Sequence, residues 1–300
     1  ASGPPGPLAA DLYRLLVAVQ RKLGHTREAA SLLAEYAQKY PQDLKARLDL
    51  LRLYFSLREY PALVAEAGRL LEQAPDLKDS DPYAYLLASY LRGLAEIGRK
   101  QYAAALAALA PVAREQSRKV GLEAIFPYSL YYQAWAQYRL NQLRPAREKA
   151  ASLAEGFPAH PLFPEALYLA GWCSFALEDY QAAAGYFARL SKAEGETGSR
   201  ALFLQAKSLA NLGDKQAAAE AYRTLYTVRP QSEFADDAMF EFAGLAAEQG
   251  QLNEATAAYS FLYRRYPESP LSEEALYKRA ELFGAAKSWQ QARDAYYEYR

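Results

Sequence analysis

The sequence predicts an all-α fold, an α-solenoid of about eight helix–turn–helix units. Three observations carry this. The chain repeats itself at a step near 34 residues, with Pro41 and Pro75 34 residues apart and Pro230 and Pro267 37 apart. Small residues recur at two fixed places in each unit. Turn residues and prolines recur between the helices, where a proline stops a helix because it lacks an N–H and clashes with the preceding turn.

In register, the units begin near 10, 44, 86, 127, 164, 199, 236 and 273. The eighth place is then Val17, Leu51, Gly93, Ala134, Gly171, Ala206, Ala243 and Ala280. The twentieth is Ala29, Leu63, Ala105, Ala146, Ala183, Ala218, Ala255 and Ala292. A small side chain at both places lets two helices approach; a larger one overpacks the contact by roughly 1–3 kcal/mol. The twenty-seventh place is large, with Leu70, Leu153, Leu190, Leu225 and Leu262 among its residues. Turns fall at the fifteenth to seventeenth places, as at Gly24-His25-Thr26, Asn141-Gln142-Leu143, Gly213-Asp214-Lys215 and Gly250-Gln251-Leu252.

Residues 1–7, ASGPPGP, read as a disordered linker or cloning scar, with one solenoid over 8–300. The second unit departs from the pattern at Leu51 and Leu63, so its helices are expected to pack more loosely or at another angle. Two steps are longer, 42 residues into the third unit and 41 into the fourth. Residues 76–85 form a polar loop with Asp81-Pro82 as a helix start. Residues 115–126 read as a prolonged helix with a turn at Gly121. Each insertion is either tolerated surface, the preferred reading, or an elbow or contact point. The fifth unit, 164–190, is the clearest, with Gly171 and Ala183 between the large Leu167, Tyr180, Phe187 and Leu190. The eighth stops at Arg300 inside its second helix, which predicts a continuing array.

Composition excludes several functions. Lys plus Arg equals Asp plus Glu at 35 each, so no basic surface is on offer for nucleic acid. No apolar run is long enough to span a membrane, and no signal peptide opens the chain. The single cysteine, Cys173, reads as a small buried residue. His25 and His160 sit in turns. No metal-binding or phosphate-cradling motif occurs, and GETGS at 195–199 follows a helix and lacks a lysine. The acidic helix starts Glu165, Asp236-Asp237 and Glu273-Glu274 complement helix dipoles. No catalytic constellation, cofactor site or metal site emerges, and the chain reads as a non-enzyme.

The step, the small eighth and twentieth places and the closing proline resemble the tetratricopeptide repeat over residues 8–300. That resemblance implies a right-handed superhelix with first helices lining a concave face. The junctions FPAHPLFPEALY (157–168), RPQSEFADDAMF (229–240) and YPESPLSEEALY (266–277) are similar in wording to bacterial cell-envelope proteins of this repeat, of the BamD and YbgF types; the chain is identified with neither. This implies a periplasmic or envelope setting, with the cytoplasm as alternative. The carboxylate clamp of co-chaperones is absent, because the three asparagines, Asn141, Asn211 and Asn253, all lie in turns.

On that concave face the fifth place is Arg14, Leu48, Tyr90, Tyr131, Tyr168, Phe203, Phe240 and Tyr277. Packing against the preceding unit is the preferred reading of this ladder. Further rings, Tyr128, Tyr132, Trp135 and Tyr138 in the fourth unit and Trp172 and Phe175 in the fifth, are read as a partner-binding cluster, since tyrosine and tryptophan carry interface energy. Asp237, Glu241, Glu248, Glu274 and Glu281 make the later units acidic. The expected partner is a peptide or protein with an apolar or aromatic segment followed by basic residues. The alternative is the glycan- or substrate-binding region of a larger enzyme. Self-association through the C-terminal end is a third reading.

Overall fold

A computed structural model describes residues 7–299. The linker assigned to residues 1–7 therefore lies outside the described residues, save Pro7, which opens the first helix. Among the described residues there are eighteen helices and no strand. The chain divides into two compact units, Ala1–Leu162 and Phe163–Arg300.

The first unit holds ten helices in chain order: α1 (Pro7–Lys22), α2 (Thr26–Lys39), α3 (Leu44–Ser56), α4 (Tyr60–Gln73), α5 (Leu77–Ser80), α6 (Pro82–Gly98), α7 (Tyr102–Leu109), α8 (Arg114–Lys119), α9 (Ile125–Arg139) and α10 (Leu143–Gly156). The second holds four helix pairs: α11 (Phe163–Ala176) with α12 (Tyr180–Leu190), α13 (Gly195–Leu212) with α14 (Lys215–Val228), α15 (Ala235–Glu248) with α16 (Leu252–Arg265), and α17 (Ser272–Ala285) with α18 (Trp289–Tyr299).

The small places do the packing expected of them. Seven of the eight twentieth-place residues, Ala29 to Ala255, are wholly buried, and Ala292 nearly so. At the eighth place the space a side chain would fill belongs to a large residue of the second helix. A Cβ on Gly93 would lie 2.4 Å from Leu109 Cγ, and one on Gly171 2.8 Å from the Phe187 ring. Leu51 and Leu63 are both fully buried in the core of the first unit.

Each pair turns on one left-handed residue at its fifteenth place. Gly24, Gly213 and Gly250 hold φ of +80°, +91° and +74°, and Asn141 holds +59°. Arg58, Lys100, Glu178 and Lys287 occupy the same place at +57° to +61°, where a Cβ crowds the backbone. Replacing any of these four by glycine is expected to raise stability by about 0.5–1 kcal/mol, read as a higher urea midpoint. Gly213→Val is expected to lower it.

The three similar junctions share one turn. The amides of His160, Ser232 and Ser269 donate to the carbonyls of Phe157, Arg229 and Tyr266, each at 3.0 Å. Their side chains then accept from the amide two residues on: Leu162 N–H to His160 Nδ1 (3.1 Å), Phe234 N–H to Ser232 Oγ (3.3 Å) and Leu271 N–H to Ser269 Oγ (3.2 Å). Burial holds the His160 pKa below its usual value, which keeps Nδ1 available as acceptor. The residue that opens the junction also grips the previous one in the second unit. Arg229 donates to the carbonyls of Ser191 and Ala193, and the Tyr266 hydroxyl to that of Pro230.

The two long junctions resolve differently. Asp81 caps α6 by accepting from the Ala84 amide at 2.9 Å, as expected. The prolonged helix expected after Glu115 is not there. Proline 111 follows the end of α7, Ala113 is extended (φ −100°, ψ 159°), and α8 is a separate short helix closed by Gly121 at φ +71°.

Candidate interaction surface

In the first unit, α9 carries Tyr128, Tyr131, Tyr132, Trp135 and Tyr138 at helical spacing, all half-buried. They divide into two groups. Tyr128 and Tyr132 pack on the core built by α3, α4 and α6. Burial, with the nearby hydroxyls of Tyr128 and Tyr60, raises the Tyr132 pKa; burial with Tyr132 and Tyr128 raises that of Tyr90 still further. Tyr128 also meets His160 edge-on at 4.6 Å, and Tyr131 meets Tyr132 at 5.4 Å. Trp135 instead lies 5.7 Å from Tyr138, and the Arg139 guanidinium covers the rings of Trp135 (5.8 Å) and Tyr102 (4.8 Å).

In the second unit, Tyr168, Trp172 and Phe175 are half-buried against Ala183, Phe187 and Leu204. Trp172 and Phe175 stack at 6.0 Å, and Phe175 meets Tyr180 edge-on at 5.3 Å. The fifth-place rings are braced within their own helix pairs. Tyr168 packs on Phe187 (6.2 Å), Phe203 on Tyr222 (5.6 Å), Phe240 on Tyr259 (5.5 Å) and Tyr277 on Tyr296 (6.1 Å). The ladder is thus packed, against the second helix of the same pair rather than only against the preceding unit. Phe187, Tyr222, Tyr259 and Tyr296 recur at steps of 35, 37 and 37 residues, a signal present in the sequence and missed in reading it.

The acidic residues of the second unit come together. Asp237, Glu241 and Glu248 lie along α15, and Glu274 and Glu281 along α17. Their shared influence is seen at Tyr259 of α16, whose pKa is pushed up to about 12 by burial and then by Glu274, Glu241, Glu248 and Glu281. Burial, then Asp236, raises the Asp237 carboxyl. Burial also raises Glu241, with Asp237 and Glu248 adding to it and Lys207 of α13 opposing. Local cations offset part of this charge: Lys278 pairs with Glu281 (3.3 Å) and Lys215 with Glu248 (2.8 Å), both at exposed positions where an ion pair is weak. The result is a row of mutually repelling carboxylates on α15 close to the buried rings of Tyr222 and Tyr259. Sequence reading found these carboxylates but missed Lys207, which opposes their repulsion, and the buried Tyr222 and Tyr259, whose hydroxyls they hold protonated.

Among the described residues, no group of three His, Cys, Asp or Glu is placed to hold a metal ion, and no helix is long and apolar enough to cross a membrane. Cys173 is buried.

A model described as tetratricopeptide repeat matches residues 131–198, and a second of the same description matches 200–232. Residues 131–198 and 200–232 carry tetratricopeptide repeats. Among solved structures, the chain is similar to the apo form of RapI, 13% identical, with a TM-score of 0.55 over 96% of this chain and 85% of that one. That likeness supports the helical-repeat fold. MamA 41-end from Desulfovibrio magneticus RS-1 is 22% identical over 60% of this chain and 92% of its own, with a TM-score of 0.48. The Pseudomonas aeruginosa pilF structure is 17% identical over 79% of this chain and 96% of its own, also at 0.48. No curated protein matches the chain.

Proposed function

We propose that the chain is a non-enzymatic scaffold that binds a peptide or protein partner on the acidic, aromatic surface of its second unit. The partner carries an apolar or aromatic segment followed by basic residues. The single observation behind this is the crowding of Glu241, Glu248, Glu274 and Glu281 around Tyr259, with Asp237 beside Glu241. Like charges held together raise one another's pKa, and a cationic partner relieves that repulsion. Helices hold these groups before the partner arrives, so little ordering is lost on binding. The aromatic set on α11 offers apolar contact to the partner within the same unit.

The same crowding makes the free chain sensitive to pH. The folded pKa values of Asp237 and Glu241 lie above the unfolded ones, so the folded chain holds these protons longer. Their contribution to stability is fully present below about pH 4 and is lost as pH rises through the folded values. Asp237→Asn with Glu241→Gln is therefore expected to raise Tm at pH 7 and leave it little changed at pH 4. The same variant is expected to bind a lysine-rich apolar peptide about tenfold more weakly. A variant that gains no stability and binds as the parent does would remove the acidic surface from the proposal.

The proposed setting is the periplasm or cell envelope of a bacterium, supported by the wording of the three junctions. Recovery of the native protein in the periplasmic fraction supports this, and recovery in the cytosol contradicts it.

A further inference from the structure

The two insertions of the first unit build a cavity. One wall is α5 and the start of α6; the other is the bend after α7 together with α8. Its volume is about 550 Å³, within the range of small-molecule sites. Tyr85, Leu86, Pro111 and Val120 make an apolar lining, and Lys78 and Lys119 bring two ammonium groups to it. No carboxylate lines it.

The lysines stand on anchored backbone. Leu77, next to Lys78, is 2% exposed and seats α5 on the core. Ser117 of α8 is wholly buried, and Leu122 beyond Gly121 packs on the same core. Lys119 has a partner, Glu115, at 2.9 Å one helical turn away, but both are two-thirds exposed. Such a surface pair is weak, so an incoming carboxylate displaces it readily.

We propose that this cavity binds a small amphipathic carboxylate, with the apolar body against Tyr85, Leu86 and Val120 and the carboxyl group accepting from Lys78 and Lys119. Apolar lining supplies affinity without direction; the two ammonium groups supply the orientation and select the anion. The site lies in the first unit and is independent of the acidic surface of the second.

Calorimetric titration with octanoate, 1-octanol and octylammonium tests it. Octanoate is expected to saturate one site per chain, and the alcohol and the cation to bind at least about tenfold more weakly. Lys78→Glu with Lys119→Glu is expected to weaken octanoate about tenfold or more while circular dichroism stays unchanged, since both side chains are exposed. Val120→Asp is expected to weaken it as well. No saturable binding, equal binding of all three compounds, or full octanoate affinity after both lysines are reversed would each overturn the assignment.

Discussion

Replacing Arg47 by alanine is expected to destabilise the first unit by about 3–5 kcal/mol. Arg47 of α3 and Glu66 of α4 form an ion pair at 2.7 Å whose side chains are 4% and 7% exposed. Arg47 Nη1 also donates to Gln73 Oε1 at 3.1 Å, and Arg69 reaches the other Glu66 oxygen at 2.9 Å. Removing the guanidinium leaves a carboxylate buried with only the half-exposed Arg69 for company. The cost is that of an uncompensated charge, larger than the pair's own net contribution. Glu66→Ala is expected to cost a similar amount. The discriminating variant is the double change Arg47→Met with Glu66→Leu, which removes both charges and keeps the volume. It is expected to restore most of the lost stability, because buried pairs are often close to neutral against apolar replacements. Urea unfolding of the four proteins reads all three values, and equal losses in the single and double variants would contradict the argument.

The second large effect is expected at Gly171. A Cβ there would stand 2.8–3.0 Å from three atoms of the Phe187 ring, and that ring is wholly enclosed. Gly171→Val is expected to cost about 1–3 kcal/mol through overpacking, and Phe187→Ala about 3–5 kcal/mol through the cavity it leaves. Combined, the two changes occupy one space, so the double variant is expected to lose less than the sum by about 0.5–3 kcal/mol. Additive losses would mean that the glycine serves some purpose other than admitting the ring.

These two sites mark what can and cannot be read from the chain. Gly171 was visible because it belongs to a repeated place, and repetition turns one residue into eight observations. The Arg47–Glu66 pair was invisible because charged residues on a helix ordinarily face water, and nothing local says that these two, 19 residues apart, meet inside. The left-handed turns show the same division. Gly24, Asn141, Gly213 and Gly250 announce themselves, whereas Arg58, Lys100, Glu178 and Lys287 adopt the same backbone under tertiary constraint with no local preference for it. The separate α8 was missed because Arg-Glu-Gln-Ser-Arg-Lys suits a long helix as well as a short one; the bend at 111–113 was the signal. At the candidate surface, the rings were legible by spacing, but their partners were not. Tyr132 packs inward on the core while Trp135 lies under Arg139, although both sit on the same helix. The acidic set was legible because Asp237 and Glu241 are one helical turn apart. Its electrostatic tension was not, since that depends on burial and on the balance between neighbouring carboxylates and Lys207 of α13.

The central claim is that this acidic surface binds a segment that is apolar and then basic. Fluorescence anisotropy tests it with a labelled peptide of an aromatic–aliphatic stretch followed by a lysine run, beside a twin with glutamate in place of lysine. The account predicts saturable binding of the lysine peptide that weakens as salt is raised, no binding of the twin, and loss of binding in Glu241→Lys with Glu274→Lys. Equal binding of the two peptides, or unchanged affinity in the charge-reversed variant, would contradict it.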